Sequence, residues 1–257
     1  EIALDYSKRN SEGLSYGFGG NATFISNEVQ DSPFTIVTTG SASGQGLTDA
    51  TINGFVSGQA IGAFFMKTFT GIDENGFSTF VDQDGDGFST EGDRTVVGSA
   101  LPDMTYNFYA NLSYKGFDLN ANFNGVSGNE IYDHTAMGSF YKTLLSKSNN
   151  TTPIASEFEE ESIINAAAVS TRYLKDGSFL RLNNLTFGYS FNTESIGWLQ
   201  ELRLTFTGQN LFVITDYDGY DPEVNTDSSI GGIQSFGIDK FAYPKAKTFL
   251  VGLNLTF

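Results

Sequence analysis

The sequence predicts an all-β protein built of long antiparallel strands of a transmembrane β-barrel, with short turns at one end and long loops at the other. Three observations predict it. Stretches of nine to thirteen residues alternate between an apolar set and a polar, nearly uncharged set, as in Met104–Tyr114 and Phe117–Val126. There are 29 Gly, 24 Phe and 12 Tyr against one Trp and one His, a composition that favours strands and turns over helices. No apolar run approaches the roughly 18 residues of a transmembrane helix, whereas a barrel strand needs only ~9–11 residues of alternating pattern.

Strands are expected near 1–9, 14–25, 103–114, 117–126, 179–191, 201–212 and 246–257. In the first, Ile2, Leu4 and Tyr6 alternate with Ala3, Asp5 and Ser7, and the turn Asn10-Ser-Glu-Gly13 leads into Leu14, Tyr16, Phe18, Gly20, Ala22 and Phe24. Residues 26–102 are rich in Gly, Ser, Thr and Asp without a sustained period, and are expected to be a long loop holding one short strand at Ala60–Met66. The clearest pair follows. Met104, Tyr106, Phe108, Ala110, Leu112 and Tyr114 oppose Thr105, Asn107, Asn111 and Ser113; after Lys115-Gly116, Phe117, Leu119, Ala121 and Phe123 oppose Asp118, Asn120, Asn122 and Asn124. Side chains of a strand point alternately to its two faces, so the apolar set suits lipid and the uncharged polar set a hydrated lumen.

A second loop covers 127–178, with an acidic, helix-like piece from Ser156 to Ser162 running into Ala166–Ala168. In the strand at 179–191, Leu180 and Leu182 are even while Leu185, Phe187, Tyr189 and Phe191 are odd, which predicts a β-bulge at Asn183-Asn184. A third loop, 213–245, leads to Phe249, Val251, Leu253, Leu255 and Phe257, which share one face, with Leu250 an apolar intruder on the other. The count is seven strands, three short turns and three long loops. Bacterial single-chain barrels have even strand numbers, so seven are not expected to close alone, and the chain reads as part of a longer one. Tyr114, Phe117 and Trp198 near the short turns fit an interfacial aromatic girdle.

Lys plus Arg number 14 and Asp plus Glu 30, a net charge of −16 that argues against nucleic acid, whose phosphates it would repel. The absence of Cys excludes disulfides and thiolate chemistry. With His134 the only His, a transition-metal centre or a Ser/His triad is not expected, and no acid/base pair suggests an enzyme. Glu1–Tyr6 has neither the basic start nor the apolar core of a signal peptide and reads as mid-strand.

The sharpest motif is Asp82-Gln-Asp-Gly-Asp-Gly-Phe-Ser-Thr-Glu-Gly-Asp93, which fits a calcium loop of the EF-hand type. Asp82, Asp84 and Asp86 would supply carboxylate oxygens, Phe88 its backbone carbonyl, Thr90 its hydroxyl directly or through water, and Asp93 the closing carboxylate. A structural calcium ion stiffening the long loop is the expectation; the bland alternative is an acidic turn that binds nothing. The loop aromatics Tyr132, Phe140, Tyr141, Tyr217, Tyr220 and Phe236 are expected to pack in a loop core in preference to stacking on sugars.

Several pieces in order resemble the C-terminal part of the SusC/RagA family of TonB-linked outer-membrane transporters of Bacteroidetes-type bacteria. They are Gly58–Phe65, Asp82–Gly87, Leu101-Pro102, Tyr114–Asp118, Gly125–Asn129, Asp176–Leu185, Gly208–Phe212, Gly219–Glu223 and the terminal strand, whose Phe257 resembles the closing aromatic of outer-membrane barrels. The resemblance implies a plugged barrel that imports oligosaccharides or peptides. It also implies upstream barrel and plug segments, TonB contacted through them, a SusD-like surface lipoprotein as lid, and outer-membrane lipid around the wall. From the residues alone a second reading stays open: a secreted, calcium-stabilised β-sandwich acting as a glycan-binding or adhesin module.

Overall fold

The computed structural model describes residues 1–11, 13–139, 142 and 157–257. Glu12 of the first turn, Phe140 and Tyr141 of the second loop and Ser156 of the acidic piece lie outside them. In chain order the first elements are β1 (Ile2–Lys8), β2 (Ser15–Phe24), β3 (Ile36–Ala42), β4 (Ala50–Val56), β5 (Ala63–Met66), β6 (Phe69–Ile72), β7 (Ser78–Phe80) and β8 (Thr95–Ser99). Then come β9 (Met104–Tyr114), β10 (Phe117–Ser127), β11 (Glu130–Asp133) and the six-residue helix α1 (His134–Ser139). The last are β12 (Leu174–Asp176), β13 (Phe179–Phe191), β14 (Glu201–Thr215), β15 (Ile238–Asp239) and β16 (Thr248–Thr256).

Seven of these make one antiparallel sheet in the order β1-β2-β9-β10-β13-β14-β16, open at both edges. The alternation read from the sequence becomes two chemically distinct faces. Phe117 pairs with Tyr114 and Tyr189, and that row continues through Leu204 to Leu253; the next row runs Leu112, Leu119, Phe187, Phe206, Val251. Apart from the half-buried Tyr189 these side chains are exposed, Val251 by 74%, as is Leu4 of β1 by 75%. A soluble sheet would cover such a face; no second sheet of the described residues pairs with this one, and lipid is the solvent that suits it. On the other face one row reads Asn111, Asn120, Thr186, Thr207 and then Leu250, the apolar intruder.

The two-residue connection Lys115-Gly116 has φ of 47° and 86°. Two successive positive φ values make a type I′ turn, whose twist matches that of the strands it joins, and Gly supplies the second at no steric cost. The bulge stands where the phase change predicts it: Asn184 pairs with Asn122 but Leu182 pairs with Phe123, leaving Asn183 extra. At the short-turn end Trp198 stacks on Phe257 (5.7 Å, 10° between planes) and Phe117 lies 4.3 Å from Tyr189. Tyr114 and Trp198 are exposed there, as an interfacial girdle requires.

Residues 26–102 depart from the expectation of a mostly irregular loop. β3, β4, β5 and β8 form a four-stranded sheet and β6 and β7 a two-stranded one. The reason the period was invisible is burial on both faces: Thr51, Ile52, Asn53 and Gly54 of β4 are consecutively buried, so there is no polar side to alternate with. The acidic piece is not helical; residues 157–168 run through turns. Glu161 is committed instead to a two-pronged pair with Arg172 (2.9 Å on each prong), and the Arg172 guanidinium sits 5.1 Å over Phe158 and 5.4 Å over Phe69.

Candidate functional site

All three long loops leave the same end of the sheet and merge. β11 from the second loop pairs antiparallel with β12 and parallel with β15 of the third loop. One apolar core holds Ala42, Ile52, Phe64 and Met66 of the first loop, Tyr132, Ala136, Met137, Val169 and Tyr173 of the second, and Ile238 of the third. Of the loop aromatics, Tyr132 is fully buried in this core, Tyr217 is buried beside it and Phe236 packs edge-on against Phe55 at 6.2 Å. Tyr220 alone of those described stands out into solvent.

Buried polar groups lock this cap together. His134 is almost fully buried, and its Nε2 accepts the N–H of Ser43 at 2.9 Å, which ties the second loop to the first. Burial, with the Lys240 charge adding to it, pushes the imidazole down to about 4, so it stays neutral and able to accept. Next to it, burial pushes the Asp133 carboxyl up to about 6, with the charges of Asp239 and Asp218 pushing the same way. Tyr217 donates to Asp239 Oδ2 at 2.6 Å. At the barrel rim Arg181 of β13 pairs with Asp221 (2.5 Å) and Glu223 (2.7 Å), and Lys245 reaches Glu223 as well (2.7 Å). Nothing in the local sequence announces this cluster; its members lie up to 64 residues apart in the chain and meet only through the fold.

The lumen face of the sheet is organised by pairs that reach across an intervening strand. Arg203 of β14 pairs with Asp118 of β10 at 2.7 Å, passing over Gly188 of β13. A Cβ at Gly188 would lie 2.6 Å from the Asp118 carboxylate and 2.8 Å from the Arg203 guanidinium. Tyr109 of β9 donates to Asp5 of β1 at 2.7 Å over Gly19 of β2, where a Cβ would overlap the Asp5 carboxylate. Asn107 donates to Asn21 (3.1 Å), Gln209 to Asn184 (3.1 Å), and Thr186 bonds Thr207 (2.9 Å).

The residues of the acidic motif divide into two groups. Carboxylate oxygens of Asp82, Asp84 and Asp86 all lie within 4.8 Å of one another on the surface. Asp82 accepts the N–H groups of Gly85 (2.7 Å) and Gly87 (3.0 Å), and the two glycines take positive φ of 77° and 81° so that the loop can wrap the cluster. Asp93 is placed elsewhere. It is buried, and its two oxygens accept the N–H groups of Gln83 (2.8 Å) and Thr90 (2.7 Å), which hold its carboxyl below the usual carboxylate range. Thr90 in turn caps the short helical turn Glu91–Asp93 by accepting from Gly92 at 3.1 Å, and Phe88 is exposed. Three carboxylates therefore converge on one point, a set that suits a hard cation with water completing the shell.

With this geometry in hand, comparison with known proteins gives a consistent answer. The chain is 34% identical over 229 residues to TonB-dependent receptor P3 of Formosa agariphila, covering 78% of this chain and 22% of that protein. It is 30% identical over 223 residues to TonB-dependent receptor SusC of Bacteroides thetaiotaomicron, covering 78% and 20%. This chain is homologous to the SusC-like TonB-dependent receptors. Its fold agrees: the RagAB peptide transporter superposes over 99% of this chain and 28% of its own, with a TM-score of 0.77 at 21% identity. The same transporter in its open-open state gives a TM-score of 0.74 at 19% identity. No family model matches the chain. The chain spans about a fifth of the length of these curated receptors. The seven-stranded sheet accordingly matches part of the barrel of such receptors, with one face apolar and the other polar.

Proposed function

We propose that the chain forms wall and outer cap of a TonB-dependent transporter of the bacterial outer membrane, one that imports oligosaccharides or peptides. The observation that supports it best is the pairing of a one-sided apolar sheet with a cap confined to one end, in a chain related to named TonB-dependent receptors. The mechanism is passage without chemistry. Ligand is held between the cap and a SusD-like lipoprotein lid, then enters the lumen when a plug, supplied by another part of the same receptor, is displaced through TonB. The wall contributes a hydrated inner face on which Arg203 is paired with Asp118 and Asp5 is held by the Tyr109 hydroxyl, so that a polar solute meets hydrogen-bonding groups in place of a run of bare charges. In the cap, Asp82, Asp84 and Asp86 take calcium together with the Phe88 carbonyl, Thr90 through water, and Asp93 keeps its capping role; the ion is structural.

The test is uptake. In cells of a strain that carries the full receptor, deletion of its gene and deletion of the gene for TonB should abolish growth on the same oligosaccharide or peptide source. Growth that survives loss of TonB refutes the reading.

A further inference from the structure

At the end of the sheet opposite the cap, the turns of two neighbouring hairpins carry three cations. Lys8 closes β1, Arg9 follows it into the turn to β2, and Lys115 opens the turn between β9 and β10. β2 pairs with β9, Ser15 opposite Ser113, so the two turns stand side by side. All three cations are exposed, and none is paired with a carboxylate among the described residues. The other four arginines, Arg94, Arg172, Arg181 and Arg203, have each found one, as 30 Asp and Glu against 14 Lys and Arg make easy. Lys8 also ends the stripe Ile2, Leu4 and Tyr6 on the apolar face, so its carbon stem continues that face while its ammonium reaches the boundary. It stands opposite Tyr16, whose ring lies 6.1 Å from that of Tyr6, and the Lys115 Nζ sits 5.2 Å over the ring of Tyr114. Cation, aromatic ring and apolar surface thus follow one another along the strands, in the order of the layers of a bilayer from headgroup to hydrocarbon.

These groups specify a ligand with an anionic end and an apolar remainder. Guanidinium and ammonium donors match the oxygens of a phosphate, and the exposed apolar rows beside them, with Leu4, Tyr6 and Phe18, match acyl chains. Solubility alone would be served by either sign of charge, and a chain of net −16 draws overwhelmingly on the other. The carboxylates Glu194 and Glu201 of the same end belong to the connection between β13 and β14, beyond β10, which confines the basic rim to the first two hairpins. β1 and β9 are two strands apart, about 10 Å, so long side chains from the two turns reach toward each other across β2. We infer that Lys8, Arg9 and Lys115 form a docking site for the phosphate headgroup of an anionic phospholipid, in the leaflet that meets the short turns. In bacterial barrels that leaflet is the periplasmic one. The inference rests on the reading of the sheet as membrane wall and gives that wall a lipid partner of stated headgroup.

The full-length receptor that contains this chain, purified in mild detergent, is the material for the test. It is mixed with equimolar phosphatidylglycerol and phosphatidylcholine of identical acyl chains, and the lipid retained is counted by native mass spectrometry. The parent should retain phosphatidylglycerol over phosphatidylcholine. Lys8→Gln/Arg9→Gln/Lys115→Gln should lower that preference by on the order of a hundredfold, roughly fivefold for each cation at an anionic lipid surface. Lys240→Gln/Lys247→Gln, which removes two cations at the cap end, should leave it unchanged. Inorganic phosphate in about tenfold excess over lipid should not displace the lipid, because it lacks the chains that the apolar rows hold. Heat-modifiable migration reports barrel integrity in each protein; if the triple variant loses it, Lys8→Gln/Arg9→Gln is read in the same way. Equal retention of the two lipids by the parent, an undiminished preference in the folded variant, an equal loss in the cap-end variant, or displacement by inorganic phosphate overturns the proposal. A receptor that is soluble and monomeric without detergent refutes the membrane-wall reading itself, whereas a detergent-requiring barrel indifferent to the headgroup refutes the site alone.

Discussion

His134 and Asp133 are adjacent, both buried in the cap, and displaced in opposite directions, which makes the pH response of the cap a sharp test of its packing. The imidazole falls from an ordinary 6.5 to about 4. The unfolded chain therefore binds more protons than the folded one between those values, and the contribution of His134 is present above pH 6.5 and lost as pH falls toward 4. The Asp133 carboxyl rises from an ordinary 3.8 to about 6. Its folded form binds more protons in that window, so its contribution is full below pH 3.8 and lost as pH rises through 6. At 1.36 kcal/mol for each tenfold change in proton affinity, each is worth on the order of 3 kcal/mol, with opposite sign over nearly the same range. The parent cap should hold almost constant stability between pH 4 and 6. Asp133→Asn keeps an acceptor for the Ala136 N–H (2.8 Å in the parent) and exposes the His134 response alone, so the cap should weaken on acidification. His134→Gln should do the reverse and strengthen. Amide exchange of residues 130–139, read by mass spectrometry and corrected for intrinsic rates, measures both. A cap that weakens on acidification in His134→Gln, or variants with identical pH profiles, would refute the assignment of these groups to one shared core.

Other perturbations separate cap from wall. Arg181→Met leaves Asp221 and Glu223 without their buried partner and should destabilise the third loop by about 3–5 kcal/mol, seen as faster exchange over 216–245 with β13 and β14 unchanged. Gly188→Val drives a side chain between Asp118 and Arg203, which should lower the temperature of heat-modified migration while leaving cap exchange untouched. Terbium luminescence should report a site that calcium displaces and that Asp84→Asn with Asp86→Asn removes, whereas Asp93→Asn should leave it in place; luminescence that depends on Asp93 and ignores the other two would overturn the proposed ligand set.

The wall was legible in the sequence because its two solvents differ. Lipid on one side and water on the other impose a period of two that survives over whole strands, and even the slip at Asn183 shows as a change of phase between Leu182 and Leu185. The cap was illegible for the complementary reason. β4 is buried on both faces, and α1 is too short for helical periodicity to accumulate. Its polar locks join distant residues, as Tyr217 joins Asp239 and Arg172 joins Glu161. The acidic motif was legible as spacing but only partly as geometry. Asp82, Asp84 and Asp86 converge as the pattern implies, while Asp93 is drawn to backbone N–H groups that a ligand-spacing pattern does not describe.

The shared core of the three outer loops bears on how such receptors diversify and how they can be engineered. Ile52, Tyr132 and Ile238 come from three different loops and are each almost wholly enclosed by the others' neighbours. A loop transplanted singly from a relative would arrive without at least half of the buried residues of the shared core, however closely its ends matched. The heritable unit of the outer surface is then the trio, and chimaeras that exchange the segments spanning 25–103, 128–178 and 216–247 together should outlast any that exchange one.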